Sequence, residues 1–183
     1  MTRKIRRLVT GHDESGKAVI LLDGDAPNQI QRPGSPLVST LLWVTDETPT
    51  PLSDTDLADR EIGINPPNQG SIFRILEIPP ETKRSPEKLE ELVAQINQRQ
   101  AEDPMPGVQR NPSVRATGMH RTESIDYALV LEGEIHLLLD EEEALIKAGE
   151  VAVMQGTYHS WHNRSDKTCM IAFILVGAQV PWN

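Results

Sequence analysis

Cysteine is nearly absent from this chain. Cys169 stands alone, so no internal disulfide can form, and a reducing compartment, the cytoplasm, is expected. Positive charge is also scarce. Eighteen Lys and Arg face twenty-seven Asp and Glu, and the net charge of -9 argues against nucleic acid or an anionic membrane as a partner. The basic start (Arg3, Lys4, Arg6, Arg7) is too short to reverse that balance, and no apolar segment of a secretory signal follows it. No apolar run reaches the length of a membrane span. There is no nucleotide-binding glycine loop, no nucleophile elbow, no Cys–His pair and no internal repeat. Hydride transfer through a bound nucleotide and hydrolysis through a covalent intermediate are therefore disfavoured.

What remains is a chain of 183 residues with 38% hydrophobic content and a mean hydropathy of -0.39, long enough to bury one sizeable core. Most of the fourteen prolines fall before residue 113, which separates an irregular first half from a strand-rich second half. In the first half, residues 17–22, 37–44 and 71–78 read as strands, and 45–70 as a long loop. Ser85-Pro86 opens a helix over 85–101, with a capping serine, proline at the first helical position and acidic residues in the first turn. Leu89, Leu92, Val93 and Ile96 give it an apolar stripe suited to packing on the body of the protein or on a partner subunit.

From 114 to 176 the chain reads as short strands with Gly or Asp at the corners: 114–120, 127–131, 134–139, 144–147, 151–154, 159–162 and 169–176. This is the signature of a β-sandwich or barrel. The acidic run 140–143 reads as a solvated hairpin tip. Alternation along strands decides which side chains can converge. His120 and Thr122 share a face. Asp126 points inward with Ala128 and Val130. His159, Trp161 and Asn163 share a face that directs His162 away. Two imidazoles and a carboxylate, His120, His159 and Asp126, form a donor set suited to one divalent metal ion (Fe, Mn, Ni or Zn), with Thr122, Trp161 and Asn163 lining the pocket around it.

The segment from Gly118 to Asn163 resembles the cupin superfamily. With Gly133 as the closing glycine of the first cupin motif, His120 takes the first histidine position and Asp126 the glutamate position, while Thr122 stands where the pattern has a second histidine. In the second motif Gly149, Gly156, His159 and Asn163 follow in order, with Met154 at the proline position. The phrases MHRTESIDY, LEGEI, AGEV and GTYHSWHN are also similar to a group of small single-domain cupins, some of them found near natural-product pathways.

The resemblance implies a mainly β fold, a single cupin (double-stranded β-helix, jelly-roll, RmlC-like) barrel with extra N-terminal strands and one amphipathic helix. Residues 113–178 would form the barrel core, and residues 1–112 would supply strands, the long loop and the helix packing on it, in one structural domain. It implies an enzyme working on a small organic molecule through an open metal centre, for which dioxygenation, decarboxylation, dehydration and isomerisation are all compatible chemistries. The alternative is a small-molecule-binding cupin without catalysis, and Thr122 in place of a histidine is the feature in its favour. A homodimer is expected, because strand-forming segments within 17–78 lack enough local partners for a domain of their own.

Overall fold

A computed structural model describes residues 3–31 and 35–180. Thirteen strands and one helix follow in order: β1 (Arg6–His12), β2 (Ala18–Asp25), β3 (Gln29–Gln31), β4 (Val38–Thr45), β5 (Ser71–Ile78), α1 (Pro86–Glu102), β6 (Val108–Arg110), β7 (His120–Thr122), β8 (Ser124–Glu132), β9 (Glu134–Leu138), β10 (Glu143–Lys147), β11 (Val151–Gln155), β12 (Ser160–His162) and β13 (Cys169–Gly177). The architecture is mainly β, a jelly-roll-type sandwich. A six-stranded antiparallel sheet, ordered β11-β8-β13-β5-β4-β3, faces a three-stranded sheet, β10-β9-β12. Two pairs, β1-β2 and β6-β7, complete it.

The core lies between the two larger sheets. Val44, Ile72, Ala128, Val130, Ile171, Phe173 and Leu175 of the larger sheet meet Ile135, Leu137 and Ile146 of the smaller one. Each strand contributes alternate residues to it, as a two-layer sheet packing demands. A second cluster forms on the outward side of the six-stranded sheet, where Leu42, Ile75, Met170 and Ala172 pack beneath Ala26 and Ile5 at the foot of the β1-β2 hairpin. An irregularity in pairing between Leu41 and Trp43 makes this possible. The extra residue lets Leu41 and Val44 point into the main core while Leu42 joins the outer cluster.

Strands expected over 17–22, 37–44 and 71–78 form close to those limits, and the last two join the six-stranded sheet. The first instead pairs with β1, a strand that the sequence pattern did not announce because Arg6, Arg7, Thr10 and Gly11 interrupt its apolar alternation. Residues 46–70 contain no helix or strand, yet Ala58 within them is fully buried. The helix forms over Pro86–Glu102, and Ser85 occupies its cap position without a side-chain cap hydrogen bond. None of its residues is buried, so its apolar stripe remains half-covered.

The strand expected over 114–120 does not form. Ala116 N–H donates to Ser113 O (3.0 Å) and Met119 N–H to Ala116 O (3.1 Å), which gives two successive turns, and the strand begins only at His120. The turns bury Ala116 and Met119 against Leu138 and Tyr158, an apolar gain that an extended segment following Pro112 would forgo. Among the described residues, no helix is long and apolar enough to cross a membrane.

Candidate functional site: a tethered histidine pair beside a buried carboxylate

His120 and His159 are direct cross-strand neighbours. His120 N–H donates to His159 O and His159 N–H donates to His120 O, both at 2.9 Å, which makes an isolated antiparallel bridge. The rings stand 4.6 Å apart between centroids, tilted by 50°. A second symmetry follows in the side chains. Nδ1 of His120 lies 2.8 Å from Gly118 O, and Nδ1 of His159 lies 2.9 Å from Thr157 O. A carbonyl oxygen can only accept, so each Nδ1 carries the proton and each Nε2 keeps its lone pair. Each tether runs to the carbonyl two residues upstream, so the local strand entry fixes both tautomer and ring orientation. Tethering of this kind is what orients imidazoles that ligate metals or exchange protons.

Asp126 sits on β8 opposite Met154 of β11, and both are buried. The carboxylate accepts from Ser124 Oγ at 2.5 Å and, more weakly, from Thr122 Oγ1 at 3.4 Å; the two hydroxyls are 2.7 Å apart. Residues 122, 124 and 126 thus place three buried polar side chains on one face. Ser124 was absent from the expected site, although the same alternation that links Thr122 to Asp126 passes through it.

Burial governs the electrostatics. It pushes the His120 imidazole down to about 4, with His159 and Arg110 adding to the effect and the Gly118 carbonyl opposing it. Burial also lowers His159, against the pull of the Thr157 carbonyl and the Asp126 carboxylate. It raises Asp126, opposed by the Ser124 hydrogen bond, His159, Thr122 and Arg74. All three groups are driven towards their neutral forms.

Trp161 closes one side of the pair. Its ring meets His159 edge-on at 6.0 Å and Phe173 of the core at 5.3 Å. Asn163 is buried nearby, but its side chain is committed to the backbone. It donates to Ile78 O and Lys167 O, both at 2.7 Å, and accepts from the backbone N–H and hydroxyl of Ser165. Its work is therefore to pin the loop after β12 against β5. His162 turns to the opposite side, between Glu81 and Ser160 Oγ. His136 stands near Glu143, and Arg115 grips the carbonyls of Leu139, Asp140, Glu141 and Glu142 around the acidic tip. Cys169 is fully buried, and desolvation pushes its thiol up to about 11, which makes it inert.

The donor set suits a metal ion at two positions. Two tethered imidazoles with free Nε2 lone pairs are good ligands for a borderline divalent cation. The third position does not fit as the side chains stand. Asp126 is engaged by Ser124 and Thr122, and no group of three His, Cys, Asp or Glu side chains is arranged to hold one ion among the described residues. Asp126 would join the imidazoles only by giving up its hydroxyl partners.

Residues 109–176 match the model of the cupin domain. That stretch of the chain is similar to the cupin superfamily. The cupin segment thus runs from β6 to the end of β13 and contains the histidine pair, Asp126 and Trp161. Over 48 residues, 26% of this chain, it is 62% identical to phomopsin biosynthesis cluster protein C' of Diaporthe leptostromiformis; the match spans only 25% of that relative. A longer match, 25% identical over 166 residues, covers 88% of this chain and 68% of the cupin-domain-containing oxidoreductase virC of Hypocrea virens. The cupin-domain-containing oxidoreductase fogC of Aspergillus ruber is 25% identical over 165 residues, covering 87% of this chain and 64% of that one.

Proposed function

We propose that this cupin is an enzyme that transforms a small organic molecule, with His120 and His159 as the working pair. The observation that carries the reading is the matched tethering of the two rings, which leaves both Nε2 lone pairs available on adjacent imidazoles. A purely structural histidine gains nothing from a fixed tautomer with an uncommitted second nitrogen. Similarity to two proteins named cupin-domain-containing oxidoreductases supports oxidoreduction over the lyase and isomerase chemistries open to the same fold. A divalent ion (Fe, Mn, Ni or Zn) on the two Nε2 atoms is the cofactor class this donor pair accepts.

The second reading, a binding module without turnover, draws on Asp126. Its carboxylate is satisfied by two hydroxyls, as expected of a polar wall that orients a ligand. One experiment separates the two. Chain purified without a chelating tag is stripped with EDTA, offered each metal in turn, desalted and assayed by elemental analysis. The enzyme reading expects close to one ion per chain in the wild type and none in the His120→Ala, His159→Ala double variant, with both proteins folded by circular dichroism. Wild-type protein that retains no ion, or a double variant that retains it, overturns the metal centre and favours the binding module.

A further inference from the structure

The β6-β7 ribbon turns two arginines to opposite sides. Gln109 and Arg121 pair across it on one side, where Arg121 Nε donates to Gln109 Oε1 at 2.8 Å. The same guanidinium lies 4.5 Å from the centre of the Tyr158 ring. Val108 and Arg110 face Thr122 and His120 on the other side, and Val108 and Thr122 are buried there. Arg110 is therefore the direct cross-strand neighbour of His120 on one flank, as His159 is on the other. Both peptide groups of His120 bond to His159, so its pairing with Arg110 is the non-hydrogen-bonded kind, in which side chains stand closer. Arg110, His120 and His159 thus form one row across three adjacent backbones, all on one face. Arg110 and His120 are half-buried and His159 is buried, so the row opens to solvent at its Arg110 end.

We propose that Arg110 anchors the substrate of this pair, and that the substrate is a small organic acid. Its carboxylate lies on the guanidinium while its reacting end meets the two Nε2 atoms. This inference rests on the catalytic reading of His120 and His159 and adds the substrate class to it.

The donor chemistry points to an acid. Each imidazole donates through Nδ1 to a carbonyl and presents a lone pair at Nε2, so neither can donate to an oxyanion in this state. Asp126 is engaged with Ser124 and Thr122. The guanidinium next in the row supplies what the pair lacks, a permanent positive charge and a fork of N–H donors. That fork meets a carboxylate with two parallel bonds and one matching charge, whereas a phosphate dianion would leave half its charge unmet. Arg110 already acts at the pair: after burial and His159, it is a further group that resists protonation of His120. The spacing fits as well. Two interstrand steps, roughly 10 Å, separate Arg110 from His159, the span of a small molecule lying along the row.

Binding to the EDTA-treated full chain tests the proposal, with acetate and benzoate as probes and acetamide and benzamide as their uncharged counterparts. Affinity is read by nuclear magnetic resonance from the ring signals of His120 and His159, assigned with single His→Gln variants. Wild type should prefer carboxylate to amide at least about tenfold, the difference expected of one charge-assisted pair. Arg110→Gln should abolish the preference, and Arg110→Lys should keep part of it, since the charge remains and the fork is lost. Arg121→Gln, on the other side of the same ribbon, should leave it unchanged. Circular dichroism confirms that each variant folds. A wild type without the preference, an Arg110→Gln variant that keeps it, or an Arg121→Gln variant that loses as much overturns the proposal. Metal plays no part in the measurement, so a chain that holds no ion can still show the carboxylate preference, and one that holds an ion can lack it.

Discussion

The two faces of β8 are built from neighbouring residues and obey different rules. On the inward face Ser124, Asp126, Ala128 and Val130 are all buried, and polar and apolar positions are equally shut off from water. On the outward face Tyr127 and Leu131 are apolar and exposed. Polarity alone would have predicted the reverse for Asp126 and Tyr127. The inward face tolerates a carboxylate because Ser124 and Thr122 supply hydrogen bonds to it, whereas the outward face leaves its apolar groups against water.

The largest expected effect sharpens this difference. Phe173→Ala on the inward face removes a ring packed on Trp161 and should cost about 3–5 kcal/mol in urea denaturation. Val153→Ala outward, measured on dilute protein, should cost under about 0.5 kcal/mol. Comparable losses at the two positions would mean that the outward face is already packed within one chain.

Acid should act on the buried histidine pair. His120 is held at about 4 when folded against 6.5 for the free imidazole. Between those values the unfolded chain binds a proton that the native chain refuses. Stability is therefore lost as pH falls from 6.5 towards 4, by about 1–3 kcal/mol in metal-free protein, since His120 keeps some solvent contact. Asp126 acts in the opposite sense. Its pKa is raised by folding, so the native carboxyl takes its proton first and returns part of the loss in acid. Urea midpoints across this pH range should fall for wild type and flatten in His120→Gln; parallel curves would show that His120 is not desolvated.

The smallest effect concerns Asp126 itself. Asp126→Asn keeps an acceptor for Ser124 and removes a buried charge, so the metal-free fold should gain about 1 kcal/mol near neutral pH, seen as a higher melting temperature in EDTA. A lower melting temperature would show that the charge is needed to organise the hydroxyls.

Alternation made much of this legible in advance. The inward set on β8, the grouping of His159 with Trp161, and the outward turn of His162 all follow from counting by twos. The helix was announced by a different signal, Ser85-Pro86 at its start. What escaped depended on contacts distant in sequence. β1 is a strand only because β2 pairs with it, and 113–119 turns because Ala116 and Met119 find Leu138 and Tyr158. The reciprocal bonding of His120 and His159 arises from topology, and no local pattern encodes it. Asn163, expected to line the pocket, spends its side chain on Ile78 and Lys167, which belong to β5 and to a loop that the motif does not specify.

The bridge between His120 and His159 has a consequence for how this fold can change. Both links are made by peptide groups, so the spacing and direction of the two positions do not depend on which side chains occupy them. Replacing an imidazole with a carboxylate, an amide or a thiol alters the chemistry presented at the bridge and leaves its two peptide links in place. The pair behaves as a socket with interchangeable contacts, in which a single substitution changes the group presented while the peptide links that hold the frame remain.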